Sequence, residues 1–254
     1  MKYRLQFSCR CGCTRRGGRR LMGDGFESVT EEILILVESH LPQKVPKEHA
    51  KIAIAIGWYI GISNSLRAAI LLGRSGFGGE CSPLLRYAIE HLVAIEWLAI
   101  IGDEAFTTLA SAHKMWAETL EKAVAKTEGW ELLTSELFEE IAAIEVSTAH
   151  ADAKIKSKFD VAGQFDLYVS YLTETAYSHP TLLTANDYLR DDGHGNYLRL
   201  DNAESNALNT FSQRCSAIAL FSAKAVASTL DSNDLNTGIH DLEIQLASLL
   251  SQTK

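Results

Sequence analysis

The stretch from Ser82 to Ile101, SPLLRYAIEHLVAIEWLAII, decides how this chain folds. It predicts a helix whose circumference is apolar nearly all the way round, and such a helix is normally buried. The same stretch carries Arg86, Glu90, His91 and Glu96. Charged side chains are almost never fully buried without a partner. The helix therefore predicts either a polar site or a network of structural ion pairs.

Two sequence signals predict where helices begin. Ser28 and Glu31 fit a capping box, which places the first helix at about 28–41. Ser82 followed by Pro83 fits the start of the central helix, because serine is a favoured cap and proline is tolerated in the first turn.

Helical patterns cover most of the remaining chain. Further helices are expected at about 47–72, 104–126, 130–156, 165–177, 204–230 and 235–251. Two short similar runs flank DDGHGN within 184–200, which favours a small hairpin or irregular insertion there. We therefore predict an all-α fold, a single-domain helical bundle of about seven or eight helices. Its expected core is Ile52, Ile56, Ile60, Leu71, Leu85, Leu92, Ile95, Leu98, Leu109, Trp116 and Phe211.

Charge is distributed unevenly between the N-terminus and the body. Residues 1–21 hold seven basic residues and no acidic one, while the remainder holds 17 basic and 32 acidic residues. An acidic body repels a phosphate backbone, so we expect no nucleic-acid binding by the body. Residues 1–25 are also glycine-rich and lack apolar periodicity, which predicts a disordered basic tail before one helical domain at 26–254.

The cysteines and the apolar runs indicate which cofactors and which cellular compartment to expect. The tail contains CRCGC at 9–13. A structural thiolate site normally needs four ligands, and no second ligand pair lies nearby, so we predict no metal and no cofactor. No apolar segment typical of a secretory signal follows the basic N-terminus, which favours a cytoplasmic protein. The apolar run at 52–62 is more typical of a core helix than of a membrane span, because its extension to Leu72 includes Arg67.

The first candidate site lies on the central helix. At about 100° per residue, Glu90 lies about 40° and Trp97 about 20° from Arg86, so the three share a face. The i, i+4 spacing allows Arg86 and Glu90 to pair. Arg86 could anchor an anionic substrate that Glu90 orients or deprotonates, or the pair could brace two helices. His91 lies about 140° away and faces a different neighbour.

The second candidate site is YVSYLTETAYSHP, residues 168–180. Tyr171, Glu174 and Ser178 share one helix face, and Tyr177, Ser178 and His179 gather where proline ends the helix. A histidine there could act as a general acid or base, or the cluster could satisfy the last carbonyls of the helix. The catalytic candidates are therefore Arg86, Glu90, His91 and His179. The ligand-binding candidates are Trp97, Tyr171, Glu174, Tyr177 and Ser178.

Two family resemblances accompany these motifs. The helix with LLRYAIEH and the downstream Ser-His-Pro at 178–180 resemble a broad family of uncharacterised bacterial all-helical domains, over roughly 30–230. That resemblance implies an all-α fold and assigns no activity. The run from Arg86 to His91 also resembles the R-x4-6-H motif of the HEPN superfamily, although Tyr87 replaces the polar residue common after the arginine. The second resemblance implies metal-independent RNA cleavage by Arg86 and His91 at a dimer cleft, in a defence or toxin–antitoxin system.

Three classes of function follow from the sequence. The first is a non-enzymatic interaction or small-ligand-binding domain, which we rank first because no complete catalytic constellation is visible. The second is a HEPN-like RNase, which alone would bring RNA as a partner. The third is an enzyme acting on a small anionic substrate. A homodimer and a protein partner are compatible with all three, and no membrane is expected.

Overall fold

The computed structural model describes residues 23–124, 153–179, 184, 189–194, 197–199 and 208–252. Within these ranges the helices are α1 (Gly23–His40), α2 (Ala50–Arg74), α3 (Ser82–Ile101), α4 (Glu104–Val124), α5 (Ile155–Ala162), α6 (Phe165–Ser178), α7 (Leu208–Leu230) and α8 (Asn233–Gln252). Short 3-10 turns at Lys47–His49 and Gly79–Cys81 precede α2 and α3. The predicted all-α fold is confirmed.

A small hairpin accompanies the helices. Strand β1 (Leu189–Asp191) pairs antiparallel with β2 (Tyr197–Arg199), so that Leu189 lies opposite Arg199. Gly193 has a φ of 73°, a backbone conformation that glycine adopts without strain. This is the hairpin that the sequence predicted near 184–200.

The central helix is α3, as its composition requires. It packs against α2, α5, α6 and α7, while α1 packs on α7 and α8. A single hydrophobic cluster includes Phe26 of α1, Tyr59 of α2, Leu92 of α3, Phe159 of α5, Phe211 of α7 and Leu235 of α8. Helix α5 was not expected as a separate element, because the sequence pattern placed its first residues at the end of a helix at 130–156. Most of that predicted helix and almost all of the predicted tail at 1–25 lie outside the described residues, and the domain boundaries stay a prediction.

Both predicted helix caps are wrong. Helix α1 begins at Gly23, so Ser28 lies inside it and donates to Glu32 Oε1 at 3.0 Å. A 3-10 turn runs directly into α3, so Cys81 occupies the cap position and Ser82 is already helical. The Ser82 side chain instead lies near the Glu174 carboxylate, whose pKa it lowers. In both places the backbone turns before the serine, so the serine does not stand at the cap position.

The predicted core is partly confirmed and partly wrong. Leu85, Leu92, Ile95, Leu98 and Phe211 are buried, and Ile52, Ile56 and Leu109 are half-buried. Ile60, Leu71 and Trp116 are exposed, at 46%, 66% and 51%. The buried face of α2 contains Tyr59, Ile62, Leu66 and Ile70 instead. Because α2 is apolar on most of its surface, periodicity did not determine which face turns inward.

Among the described residues, the segment Lys47–Arg74 is long and apolar enough to cross a membrane by length and composition alone. Core helices of soluble proteins can meet the same criteria. In this fold Arg67 of the segment forms ion pairs with Glu31 and Glu38 of α1.

Candidate functional site

Arg86 of α3 lies at the meeting point of two helices. Its Nε donates to Glu90 Oε1 at 2.9 Å, one helical turn away, and Nη1 donates to His179 Nε2 at 2.8 Å. The guanidinium also lies over the Tyr171 ring, 5.6 Å from its centroid. Both members of the Arg86–Glu90 pair are partly accessible, with 28% and 31% of their side chains exposed. The pair is therefore not a fully buried brace.

The end of α6 brings His179 to this cluster. Helix α6 ends at Ser178, and His179 has an extended backbone with φ −116° and ψ 154°. Proline at position 180 disfavours the helical conformation of the residue before it, which explains the turn. The Ser178 hydroxyl donates back to the Glu174 carbonyl at 2.6 Å. The structure thus brings Arg86, Glu90, Tyr171 and His179 together. The Ser178 hydroxyl is bonded within α6 and does not join this cluster.

Glu90 also lines a pocket between α2, α3 and α5. We call this cavity of about 230 Å³ the Lys158 pocket. Its lining includes Trp58 of α2, Glu90, His91 and Ala94 of α3, and Ile155 and Lys158 of α5. Glu90 is therefore shared between the Arg86 cluster and a pocket that the sequence did not predict.

Lys158 is the cation of this pocket. Its Nζ lies 5.8 Å from the centroid of the Trp58 ring and 5.3 Å from that of Trp97. Burial lowers the pKa of the Lys158 ammonium, and the negative charge of Glu90 opposes that shift. Among the described residues, no carboxylate lies within ion-pairing distance of this ammonium and no hydrogen bond from it occurs. The two indole faces and the charge of Glu90 compensate the ammonium electrostatically, without a direct ion pair.

His91 is fixed on the α3 wall of the pocket. Its ring lies against Tyr87, tilted by 30° with centroids 3.9 Å apart, and meets Trp58 edge-on at 6.3 Å. Tyr87 lies against Gly61 of α2, where a Cβ atom would come within 2.8 Å of the Tyr87 hydroxyl. Burial is the main cause that lowers the pKa of the His91 imidazole, and the charge of Lys158 acts in the same direction. The imidazole is therefore held in its neutral form near neutral pH.

Glu174 has a different environment from the rest of its predicted cluster. It forms an ion pair with Arg214 of α7, and the two side chains are only 2% and 15% exposed. Burial raises the pKa of the Glu174 carboxyl, against the charge of Arg214 and the hydrogen bond with Ser82. Both residues line a second cavity of about 170 Å³, together with Ile89, Leu167, Ile218 and Phe221.

Glu96 is the remaining ionisable residue of α3. Its Oε1 accepts from Gln164 Nε2 at 2.9 Å, while Oε2 is buried without a hydrogen-bond partner among the described residues. Burial raises the pKa of this carboxyl to about 7, and the hydrogen bond from Gln164 opposes the shift. Glu96 is therefore partly protonated at neutral pH.

The candidates from the sequence are thus divided between one cluster, one pocket and several separate positions. Arg86, Glu90, Tyr171 and His179 form one cluster, and His91 shares the Lys158 pocket with Glu90. Trp97 is buried beneath Lys158, Glu174 pairs with Arg214, and Tyr177 is half-buried at the end of α6. Within the described ranges, no group of three or more metal-ligating side chains comes together.

Sequence reasoning missed Trp58, Lys158 and Arg214. Arg214 did carry a signal, because it is the only charged residue between 205 and 223 of a helix otherwise suited to close packing. Lys158 carried none, since neither the separate helix α5 nor its contact with α2 and α3 follows from local pattern.

Comparison with known proteins adds a family and no activity. No curated protein and no solved structure matches the chain. A family of unknown function, DUF5677, matches residues 52–197. That range contains every residue of the Lys158 pocket and of the Arg86 cluster. Since the match covers more than half of the chain, this protein belongs to the DUF5677 family of unknown function.

Proposed function

We propose that this protein binds a small anionic ligand in the Lys158 pocket. The observation that carries the proposal is the state of Lys158. Its ammonium lies between two indole rings on the wall of a cavity of about 230 Å³. Among the described residues, no carboxylate pairs with it.

The physical argument concerns the cost of holding a charge away from water. A partly buried ammonium loses hydration, and it normally regains that energy from a carboxylate or from hydrogen-bond acceptors. Contact with indole faces returns only about 0.5–2 kcal/mol. An anion in the cavity would supply the missing partner and would raise the pKa of Lys158 towards its usual range.

The charges around the pocket support the same ligand class. Among the lining residues, Lys158 contributes one positive charge and Glu90 one negative charge, while the lowered pKa of His91 leaves its imidazole neutral. Arg86 lies outside the lining and pairs with Glu90. Because Glu90 already has a cationic partner, the Lys158 ammonium is the charge of the lining that an anion can neutralise.

The RNase alternative stays a prediction. It requires Arg86 and His91 to act on one phosphodiester, yet Arg86 bonds to Glu90 and His179 while His91 lines the Lys158 pocket. Expression of the full chain beside Arg86→Ala and His91→Ala would test it. Growth arrest with RNA degradation, lost in both folded variants, would favour the nuclease.

Isothermal titration calorimetry of the full chain tests the anion proposal. The probes are sodium salts of phosphate, acetate, propanoate and lactate at constant ionic strength. We expect at least one to bind the native protein and Lys158→Met to weaken that binding at least tenfold, the equivalent of about 1.4 kcal/mol.

Lys156→Met is the matched control. Lys156 lies on the same helix, is exposed, and pairs with Asp160 at 2.7 Å. Its loss changes the net charge of the protein by the same amount but leaves the pocket intact. Equal weakening by both substitutions would mean that only general charge attracts the anion, and the proposal would fail.

A further inference from the structure

The tautomer of His91 is fixed by one contact. Its Nδ1 lies 2.8 Å from the backbone carbonyl oxygen of Tyr87. A carbonyl oxygen only accepts, so Nδ1 must carry the proton. In the neutral imidazole, Nε2 then has a free lone pair and acts as an acceptor. Among the described residues, no hydrogen bond reaches Nε2.

Glu90 provides a second acceptor beside it. One carboxylate oxygen accepts from Arg86, and the side chain also lines the Lys158 pocket. The polar side chains of the lining are therefore one donor, the Lys158 ammonium on α5, and two residues on α3 that have unprotonated acceptor atoms, Glu90 and His91. An anion that only accepts hydrogen bonds can pair with the Lys158 ammonium, but it has no donor for Glu90 or His91.

We propose that His91 is a specificity-determining residue, and that the pocket selects oxyanions which carry their own O–H donor. Ligands of this class include a protonated phosphate group and a 2-hydroxycarboxylate. The anionic oxygens would pair with Lys158 while the hydroxyl donates to His91 Nε2. This inference rests on the proposed function, because it names the ligand class of the same pocket.

The selection follows from the cost of an unpaired acceptor. A ligand without a donor would place its oxygen lone pairs against the lone pair of Nε2 and remove that nitrogen from water. Leaving one buried acceptor unpaired reduces affinity by about 5-fold to about 150-fold in typical sites. Since His91 is only half-buried, we expect a preference of about tenfold.

Two matched pairs of probes test the inference by calorimetry on the full chain. Lactate and propanoate have the same charge and differ by one hydroxyl. Phosphate carries a proton near neutral pH, whereas sulfate carries none. We expect lactate to bind about tenfold more tightly than propanoate, and phosphate more tightly than sulfate.

His91→Phe is the decisive variant. It keeps an aromatic ring against Tyr87 and Trp58 but removes the acceptor. Both preferences should disappear, because propanoate and sulfate no longer leave an acceptor unpaired and should bind about tenfold more tightly than to the native protein. A preference that persists in a folded His91→Phe protein would overturn the assignment.

The pH dependence of sulfate binding gives a second test that needs no substitution. Protonation turns His91 Nε2 into a donor, so sulfate should bind more tightly as the pH falls below the pKa of this imidazole. Tyr87, Glu90 and Lys158 are the other titratable groups that face His91, and comparison with His91→Phe cancels their contribution. Sulfate affinity that does not change with pH would contradict the inference.

The two proposals fail in different ways. If lactate and propanoate bind the native protein equally, and phosphate binds no better than sulfate, the selection by His91 is overturned but the anion pocket stands. If no oxyanion binds at all, both proposals are overturned.

Discussion

Arg67 and Lys158 are both partly buried cations, yet their surroundings are opposite. The Arg67 guanidinium donates to Glu31 at 2.8–3.1 Å, to Glu38 at 2.7–3.1 Å and to the Ser63 hydroxyl at 2.9 Å. All three of its nitrogens have a partner, and hydrogen bonds with the two carboxylates raise its pKa. Lys158 has two indole faces and no bonded acceptor among the described residues.

The comparison distinguishes a cation that stabilises the fold, Arg67, from a cation that we propose binds a ligand, Lys158. A structural cation has its donors satisfied within the fold, since an unpaired donor would cost free energy of unfolding. Lys158 instead lines a cavity large enough for a small molecule. The distinction predicts that substituting the satisfied ions lowers stability, whereas substituting Lys158 affects binding.

The largest expected effect concerns Arg214. Arg214→Met would leave the Glu174 carboxylate, only 2% exposed, without its ion pair. We expect a loss of about 3–5 kcal/mol in the free energy of unfolding, measured by urea denaturation. The double variant Glu174→Leu with Arg214→Met should recover much of that loss, because it removes both charges. A double variant less stable than Arg214→Met would contradict this account.

The second effect concerns Arg67. Arg67→Met would leave Glu31 and Glu38 close together without the shared cation. Because all three side chains are about one-third exposed or more, water would screen part of the repulsion, and we expect a loss of about 1–3 kcal/mol in the free energy of unfolding. Arg67→Lys should recover only part of it, since an ammonium cannot make the paired contacts of a guanidinium. Full recovery in Arg67→Lys would mean that charge alone is sufficient.

The third effect concerns Glu96. Its expected effect on the free energy of unfolding is smaller, because a proton can neutralise the carboxylate that lacks a partner. Its pKa is about 7 in the folded protein against 4.5 for the free side chain. The folded state binds the proton more tightly, so this stabilising contribution is complete below about pH 4.5 and is lost as the pH rises through about 7. Glu96→Gln should therefore match the native protein near pH 5. At about pH 8 it should be about 1–2 kcal/mol more stable, a value discounted for partial exposure.

Thermal or urea melts at both pH values measure this difference directly. Glu118→Gln, at an exposed position of α4, is the matched control for the loss of one carboxylate. Glu96→Gln and the native protein could instead differ in stability by the same amount at both pH values. That result would exclude a raised pKa for Glu96.

These residues also indicate how much of the fold and of the candidate site can be predicted from the sequence. Helix α3 and the Arg86–Glu90 contact follow from composition and i, i+4 spacing, which act within one helix. The placement of His91 on another face follows from the same geometry. The Lys158 pocket does not, because it needs α2, α3 and α5 together and depends on how each helix is rotated about its axis. The exposed Leu71 and Trp116 have the same cause: an apolar position does not reveal which face meets a neighbour.

Lys158→Met has the smallest expected effect on the free energy of unfolding. It therefore gives the most direct comparison with Arg67→Met. The substitution loses the contacts of the ammonium with Trp58 and Trp97, but it also removes the cost of desolvating a charge. Methionine is flexible and packs well against aromatic rings, so it can fill the same space. We expect the free energy of unfolding to stay within about 1 kcal/mol of the native value in urea melts without added anions. A loss as large as that of Arg67→Met would place Lys158 among the structural cations, because a residue retained for ligand binding need not stabilise the unliganded fold.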